Sequence, residues 1–276
     1  MLTHPIPSTG EVMPVSGLGT YRTFDVGRDP KVRAVLGDVL RRFLDAGGTM
    51  IDSSPMYGTA ETVCGDVLAE TGLHGRAFIA TKVWTSGRRQ GIAQMRESLA
   101  KLRCDVIDLM QIHNLVDWQT QLKTLRSWQN EGLIRYLGIT HYTTGTFREL
   151  EDVMAREAVD FVQLPYSIAV RGAEDRILSV AADRGVGVIV KRPYGGGNLF
   201  GAVRGRPLPE WVAEFDCTGW GQFFLKYILG HPAVTCVIPA TGKTDHLREL
   251  VAAGEGRLPD AGQRPYGGAY RGSVTR

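Results

Sequence analysis

The sequence predicts an α/β fold, a (β/α)8 barrel of the TIM type with a short N-terminal β-hairpin, and three observations carry that expectation. Eight apolar, strand-like runs recur along the chain, segments of helical period separate them, and no Pro/Ser-rich linker or composition break divides the 276 residues. Strands apolar on both faces that alternate with helices imply a parallel sheet covered by helices. Eight such units in about 250 residues is the arithmetic of the barrel. A doubly wound open sheet, the rival arrangement, would have fewer strands per domain and a linker between domains. One barrel domain over residues 1–276 is therefore expected. Residues 261–276, Gly- and Arg-rich without periodicity, read as a flexible C-terminal tail or lid.

Taken in order, the residues before Val15 read as a hairpin plug turning at Gly10 and Glu11. The first four strand runs are VSGLGT at 15–20, TMIDSS at 49–54, AFIATKVW at 77–84 and DVIDLMQIHN at 105–114. The other four are YLGITHY at 136–142, DFVQLPY at 160–166, GVGVIVKRP at 185–193 and VTCVIPATG at 234–242. Between them, residues 31–45 carry Val32, Val35, Leu36, Val39, Leu40, Phe43 and Leu44 at helical spacing. Residues 88–103 repeat the pattern with Ile92, Met95, Leu99 and Leu102, opposite the solvated charges of Arg88, Arg89, Arg96 and Lys101. Segments 117–130, 144–156, 172–184, 218–230 and 244–253 are helical but less regular. Most of the 34 glycines fall in the gaps, as many short connections require.

Composition narrows the function classes. With 43% hydrophobic and 22% charged residues the chain is globular, neither disordered nor fibrous. Its net charge of +3 is small and scattered, so neither a nucleic-acid nor a membrane partner is expected. No apolar run approaches the roughly 18 residues of a membrane span, and the N-terminal MLTHPIPSTG shows no export signal. Cys64, Cys104, Cys217 and Cys236 form no CxxC pair or metal knuckle. They read as small, reduced, buried side chains of a cytoplasmic protein.

In a barrel the working groups lie at the carboxyl ends of the strands. The second run ends in Asp52, with Tyr57 five residues on; the third ends in Lys82 and the fourth in His113. Neighbouring strands bring an acid, a phenol, an amine and an imidazole to one patch of the rim. A Lys ammonium beside a Tyr favours the phenolate and should lower its pKa from about 10. Asp52 would hold the amine charged, and His113 would donate to a substrate oxygen. The set describes a proton donor or acceptor for a carbonyl or alcohol oxygen. Each residue alone has a plainer reading: Asp52 a helix N-cap, Lys82 a solvated rim residue, His113 a satisfied core histidine. Aromatic residues after strands, Tyr21 and Trp84 above all, read with His113 as a substrate pocket. Tyr194 falls in such a loop as well, and Trp118 reads more simply as ordinary loop packing.

The segments GGTMIDSSPMYGTAE, FIATKVW, DVIDLMQIHN and CVIPATG, in this order and spacing, resemble the aldo-keto reductases from about Val15 to Leu250. The resemblance implies hydride transfer between NADP(H), with NAD(H) the other possibility, and a small-molecule carbonyl or alcohol. It makes Tyr57 the general acid, Lys82 and Asp52 its tuning pair and His113 the orienting group. On the cofactor side it implies Gly19, Thr20 and Tyr21 in the first loop, Asp52, and Gln163 after the sixth strand. The Ser-Asn pair common in the family is replaced by Thr140 and His141, and a nicotinamide-stacking Tyr by Lys191. In the loop that follows, Arg192, Pro193, Tyr194, Gly195 and Gly197 border the pyrophosphate. After the eighth strand Ile238, Thr241, Lys243, His246 and Glu249 border the adenosine phosphate at a helix start, with Arg248 available beside them.

Three rival functions use the same barrel. A metal-dependent hydrolase would use Asp52, Lys82, His113 and His141, although no HxH or HExxH motif occurs and no metal is expected. A Schiff-base aldolase would use Lys82 as its nucleophile. A nucleotide-binding regulatory barrel, as in the channel β-subunits related to this family, would bind cofactor without turnover.

Overall fold

In the computed structural model, residues 1–260 together with 262 and 263 are described. The expected tail therefore lies outside the described residues but for Gly262 and Gln263. Strands β1 (Thr3–Pro5) and β2 (Val12–Pro14) pair antiparallel, with Thr3 opposite Pro14. Their loop closes through Ile6 N–H to Glu11 O (2.7 Å) and Gly10 N–H to Ile6 O (2.8 Å). Gly10, at φ +77°, occupies the left-handed conformation such a turn demands. Ile6 and Met13 of this hairpin join Met50, Phe78, Leu109, Tyr136, Phe161, Ile189 and Cys236 in a separate buried cluster, so the hairpin plugs the barrel as expected.

The barrel strands are β3 (Leu18–Gly19), β4 (Met50–Asp52), β5 (Phe78–Val83), β6 (Ile107–His113), β7 (Ile134–Thr140), β8 (Phe161–Pro165), β9 (Gly187–Lys191) and β10 (Val234–Val237). Each pairs in parallel with its chain neighbour, in sequential order. The ring closes through short parallel bridges, Ser16 to Val237 and Gly19 to Ala240, with Gly19 N–H donating to Pro239 O at 2.9 Å. A Cβ at Gly19 would lie 2.9 Å from Ile238 O, so backbone contact across the seam requires glycine there.

Helices α1 (Pro30–Asp45), α2 (Ala60–Thr71), α3 (Arg88–Leu102), α4 (Trp118–Asn130), α5 (Phe147–Arg156), α6 (Ile177–Asp183), α7 (Asn198–Ala202), α8 (Trp220–Leu229) and α9 (Thr244–Ala253) wrap the outside. Helix α1 starts where Asp29 accepts from Lys31 N–H (2.9 Å) and Val32 N–H (3.2 Å), with Pro30 fixing the first turn. Two helices escape the periodicity reading. In α2 the buried residues Ala60, Glu61, Val63, Cys64, Gly65, Val67 and Leu68 surround the axis, so no single apolar stripe marks it. The five-residue α7 is too short for any period, and it gives the Gly-rich segment a helical form.

Helix α2 presses on α3 at Gly65, where a Cβ would meet Lys101 O at 2.1 Å and the Leu102 backbone at 2.7 Å. Gly65→Ala should therefore lower stability by about 1–3 kcal/mol through overpacking, despite alanine's better helix propensity. Urea unfolding midpoints measure this, and an unchanged midpoint would mean that α2 slides freely on α3.

Candidate active site

The strand ends assemble the predicted group. Asp52 closes β4, Lys82 lies one residue from the end of β5, and His113 closes β6. Thr140 and Lys191 close β7 and β9, and Gln163 sits on β8 between them. Tyr57 reaches the same rim from the β4–α2 loop, where its N–H donates to Ser54 O at 3.0 Å.

Lys82 is fully buried, and its Nζ donates to Asp52 Oδ2 at 2.7 Å and to the Ser53 carbonyl at 2.6 Å. The other carboxylate oxygen, Asp52 Oδ1, accepts from Gln163 Nε2 (2.9 Å) and Gln111 Nε2 (3.1 Å). A buried ion pair persists only when its remaining polar atoms are satisfied, and here two amides satisfy the carboxylate. Burial works against the ammonium, but Asp52 and the Tyr57 phenol outweigh it and hold the Lys82 amine above its usual range. An amine so held is a poor nucleophile, which counts against an aldolase built on Lys82.

Lys82 Nζ stands 5.1 Å from the Tyr57 ring centroid. Burial pushes the phenol pKa up; Lys82 pulls it down, and Asp52 pushes it back up. The balance lies above the ordinary phenol value, which corrects the expectation of a lowered one. The cause is desolvation, which penalises phenolate more than one ammonium repays when that ammonium is shared with a carboxylate. The consequence is a fully protonated phenol at neutral pH, the state a proton donor needs.

Burial, with Lys82, Lys191 and His141 around it, drives the His113 pKa down to about 2, so the imidazole is neutral. Ser54 Oγ lies 3.2 Å from His113 Nδ1. With the serine hydroxyl donating, the ring proton sits on Nε2, available to a substrate oxygen. Tyr21 and Trp84 form an aromatic rim: the Tyr21 ring is 4.9 Å from Tyr57, and the Trp84 ring 6.3 Å from His113. Both are exposed by somewhat under half of their surface, as an open pocket needs. Trp118 instead starts α4 and packs on the core, as the plainer reading held.

The cofactor-side residues divide into two groups. Some have partners inside the protein: Thr20 is buried and ties β3 to β4 through Oγ1 to the Asp52 carbonyl and Ser53 Oγ, both at 3.0 Å. Ile238 joins the buried cluster inside the barrel, and Pro193 is buried. Tyr194 turns its ring onto Phe200 (4.8 Å) and Phe224 (6.5 Å). Glu249 packs against Gly219 and Gly221 at the start of α8, where a helix N-terminus favours a carboxylate. The others line the rim. Arg192 is exposed at φ +54°, and its Nη2 would touch a Cβ placed on Gly196. Gly195, Gly196 and Gly197 all have positive φ, a bend that glycine allows, and it is closed by Gly195 N–H donating to Arg192 O (2.9 Å) and Gly197 N–H to Tyr194 O (3.0 Å). Thr241 Oγ1 accepts from Lys243 N–H at 3.1 Å, and Lys243 and His246 are exposed at the start of α9. Arg248, expected to be available there, is engaged by Asp245 at 3.1 Å on the helix surface.

Gln111 and Ser54 belong to the site but were not foreseen. Gln111 lies two residues before His113 on the same strand face, which is the signal that identifies it. The described residues hold no group of three or more His, Cys, Asp or Glu suited to a metal ion. Asp52 is saturated by Lys82 and two amides, and His141 Nδ1 already accepts from the Thr143 N–H at 3.2 Å. That arrangement disfavours the hydrolase.

Barrel and tetrad together describe a class of oxidoreductase. Residues 17–262 match the sequence profile of the Aldo/keto reductase family, and the chain belongs to that family. It is 26% identical to methylglyoxal reductase YeaE of Escherichia coli over 93% of this chain and 91% of the relative. It is likewise 26% identical to the NADP-dependent D-sorbitol-6-phosphate dehydrogenase of Malus domestica, over 92% and 89% of the two chains. Among solved structures, a thermostable aldo-keto reductase in complex with the inhibitor epalrestat superposes with a TM-score of 0.80 at 25% identity, covering 98% of this chain and 99% of that one. An aldo-keto reductase from Klebsiella pneumoniae in complex with NADPH shares the fold at a TM-score of 0.80 and 22% identity, covering 98% and 96%. Among the described residues no helix is long and apolar enough to cross a membrane.

Proposed function

We propose that the protein reduces small aldehydes or ketones with NADPH, with Tyr57 as proton donor. The observation that carries this reading is the buried Lys82–Asp52 pair beside a protonated Tyr57 and a neutral His113. When bound, the cofactor supplies the hydride to the carbonyl carbon. His113 Nε2–H donates to the carbonyl oxygen and aims it at the phenol. Tyr57 Oη–H gives its proton to that oxygen, and Lys82 stabilises the phenolate left behind. Asp52, held by Gln111 and Gln163, keeps the lysine in place. The donor set of the rim fits a dinucleotide phosphate. Arg192 and Lys243 offer exposed cations, and the start of α9 adds its unbonded N–H groups. Tyr21 and Trp84 make the substrate side aromatic and open, which suits small or varied carbonyls. The described part of the chain acts as one barrel domain, and its four free thiols fit the reducing cytoplasm.

Loss of nicotinamide absorbance with NADPH, then NADH, over a panel of small carbonyls tests the proposal. Turnover supports it; nucleotide binding with silence across the panel would favour a regulatory barrel. Lys243→Ala should weaken NADPH binding about tenfold, the size of one charge-assisted contact, and leave NADH binding unchanged. Equal losses for both nucleotides would remove Lys243 from the phosphate site.

A further inference from the structure

One half-buried charge of the site has no task in the proton transfer. Asp52 and Lys82 cancel each other at 2.7 Å, Tyr57 is protonated, and His113 is neutral. Lys191 remains. Its Nζ donates at 2.8 Å to Thr140 Oγ1, an uncharged acceptor, and it forms no ion pair among the described residues. The nearby carboxylate, Asp52, already accepts from Lys82, Gln111 and Gln163. Lys191 is nonetheless wired into the reaction centre: Thr140 Oγ1 donates to Gln163 Oε1 at 3.4 Å, and Gln163 Nε2 donates to Asp52 Oδ1 at 2.9 Å. The centre therefore carries an uncompensated cation on the β9 side.

We propose that Lys191 sets the redox preference of the cofactor site, disfavouring the oxidised nicotinamide, whose ring is cationic, while sparing the neutral reduced ring. The inference rests on the reading that a nicotinamide cofactor donates hydride at this centre. The transferred hydride carries an electron pair from the ring to the carbonyl carbon, so the ring gains one positive charge as the substrate is reduced. In a pocket that already holds one unpaired ammonium, that new charge is repelled, and the spent cofactor is released more readily. At the separations within one pocket and an effective dielectric near 20, such repulsion amounts to roughly tenfold in affinity or more.

The effect has a pH signature. Lys191 is faced by Asp52 from β4, Lys82 from β5, His113 from β6 and His141 after β7, with Arg192 next to it in the chain. Burial, Lys82 and Arg192, against the pull of Asp52, bring its amine down to about 7. His113 stays neutral over the same range, and the raised Tyr57 phenol does not ionise there. The ammonium is present below pH 7 and lost above it, so discrimination against NADP⁺ should weaken as pH rises from 6 to 8.5.

Dissociation constants of NADPH and NADP⁺, measured separately by quenching of protein fluorescence at pH 6, 7 and 8.5, test this without turnover. The intact protein should bind NADPH at least tenfold tighter than NADP⁺ at pH 6, with a smaller ratio at pH 8.5. Lys191→Met should lower the pH 6 ratio about tenfold, chiefly through tighter NADP⁺ binding, and abolish its pH dependence. Lys191→Arg keeps the charge, so the ratio should stay high at every pH, which separates charge from packing. If both nucleotides bind and the ratio is the same in all three proteins, the inference is overturned while the reductase reading stands. Binding of neither nucleotide to the intact protein overturns both.

Discussion

Tyr57→Phe is expected to lower kcat/KM for carbonyl reduction by about 10²–10⁴-fold, the range for loss of a positioned general acid. NADPH affinity should stay within about twofold. The phenol stands beside the orienting imidazole, ring centroids 6.2 Å apart, while His113 is neutral and Lys82 is committed to Asp52 and the Ser53 carbonyl. Phenylalanine keeps the ring packing against Tyr21 at 4.9 Å and removes only the hydroxyl. Because burial holds the phenol above its ordinary value, the chemical step of reduction should be flat through neutral pH and fall only in the alkaline range, where the phenol ionises. Alcohol oxidation needs phenolate as base, so its rate should rise over that same alkaline range. Steady-state rates in both directions, with single-turnover absorbance to isolate the chemical step, check this. A variant with unchanged kcat would remove Tyr57 from the proton transfer.

What could be read from the sequence here, and what could not, follows physical lines. Parallel strands are buried on both faces, so their apolar runs stand out, and the last polar residue of each run marks the rim. That is why Asp52, Lys82 and His113 were legible one at a time. Helix α2 was not, because Ala60, Cys64 and Gly65 are small and its buried residues encircle the axis. The direction of the Tyr57 shift was not legible either. A lone lysine lowers a phenol, but burial and the Asp52 charge enter only with three-dimensional packing. Tyr194 and Glu249 carry the right residue types at the right places in the chain. Yet the rotamer of the first goes to Phe200 and Phe224, and the second goes to the start of α8. Gln111 was hidden for the opposite reason: an amide in an apolar strand looks like noise until its partner, Asp52 Oδ1 at 3.1 Å, is seen.

Lys82→Met should show a double loss, in activity and in stability, and the two can be separated. Removing the ammonium leaves Asp52 buried with only two amide donors, and breaking a buried pair from one side costs about 3–5 kcal/mol. For a domain of this size that lowers Tm by roughly 6–20 °C. Reduction should fall about as far as in Tyr57→Phe, since the phenolate formed by proton donation loses its cation. The phenol pKa should also climb further, because the lowering influence of Lys82 disappears while burial and Asp52 stay. The alkaline limb of the pH profile would then move to higher pH. Adding Asp52→Asn removes the stranded charge, so the double variant should regain most of the lost Tm. Its activity should stay low, because the phenolate still lacks an ammonium. Recovery of Tm without recovery of rate would assign the pair's chemical role to Lys82 and its positional role to Asp52. If rate and Tm returned together, the loss in the single variant would have been one of folding, and Lys82 would have no part in stabilising the phenolate.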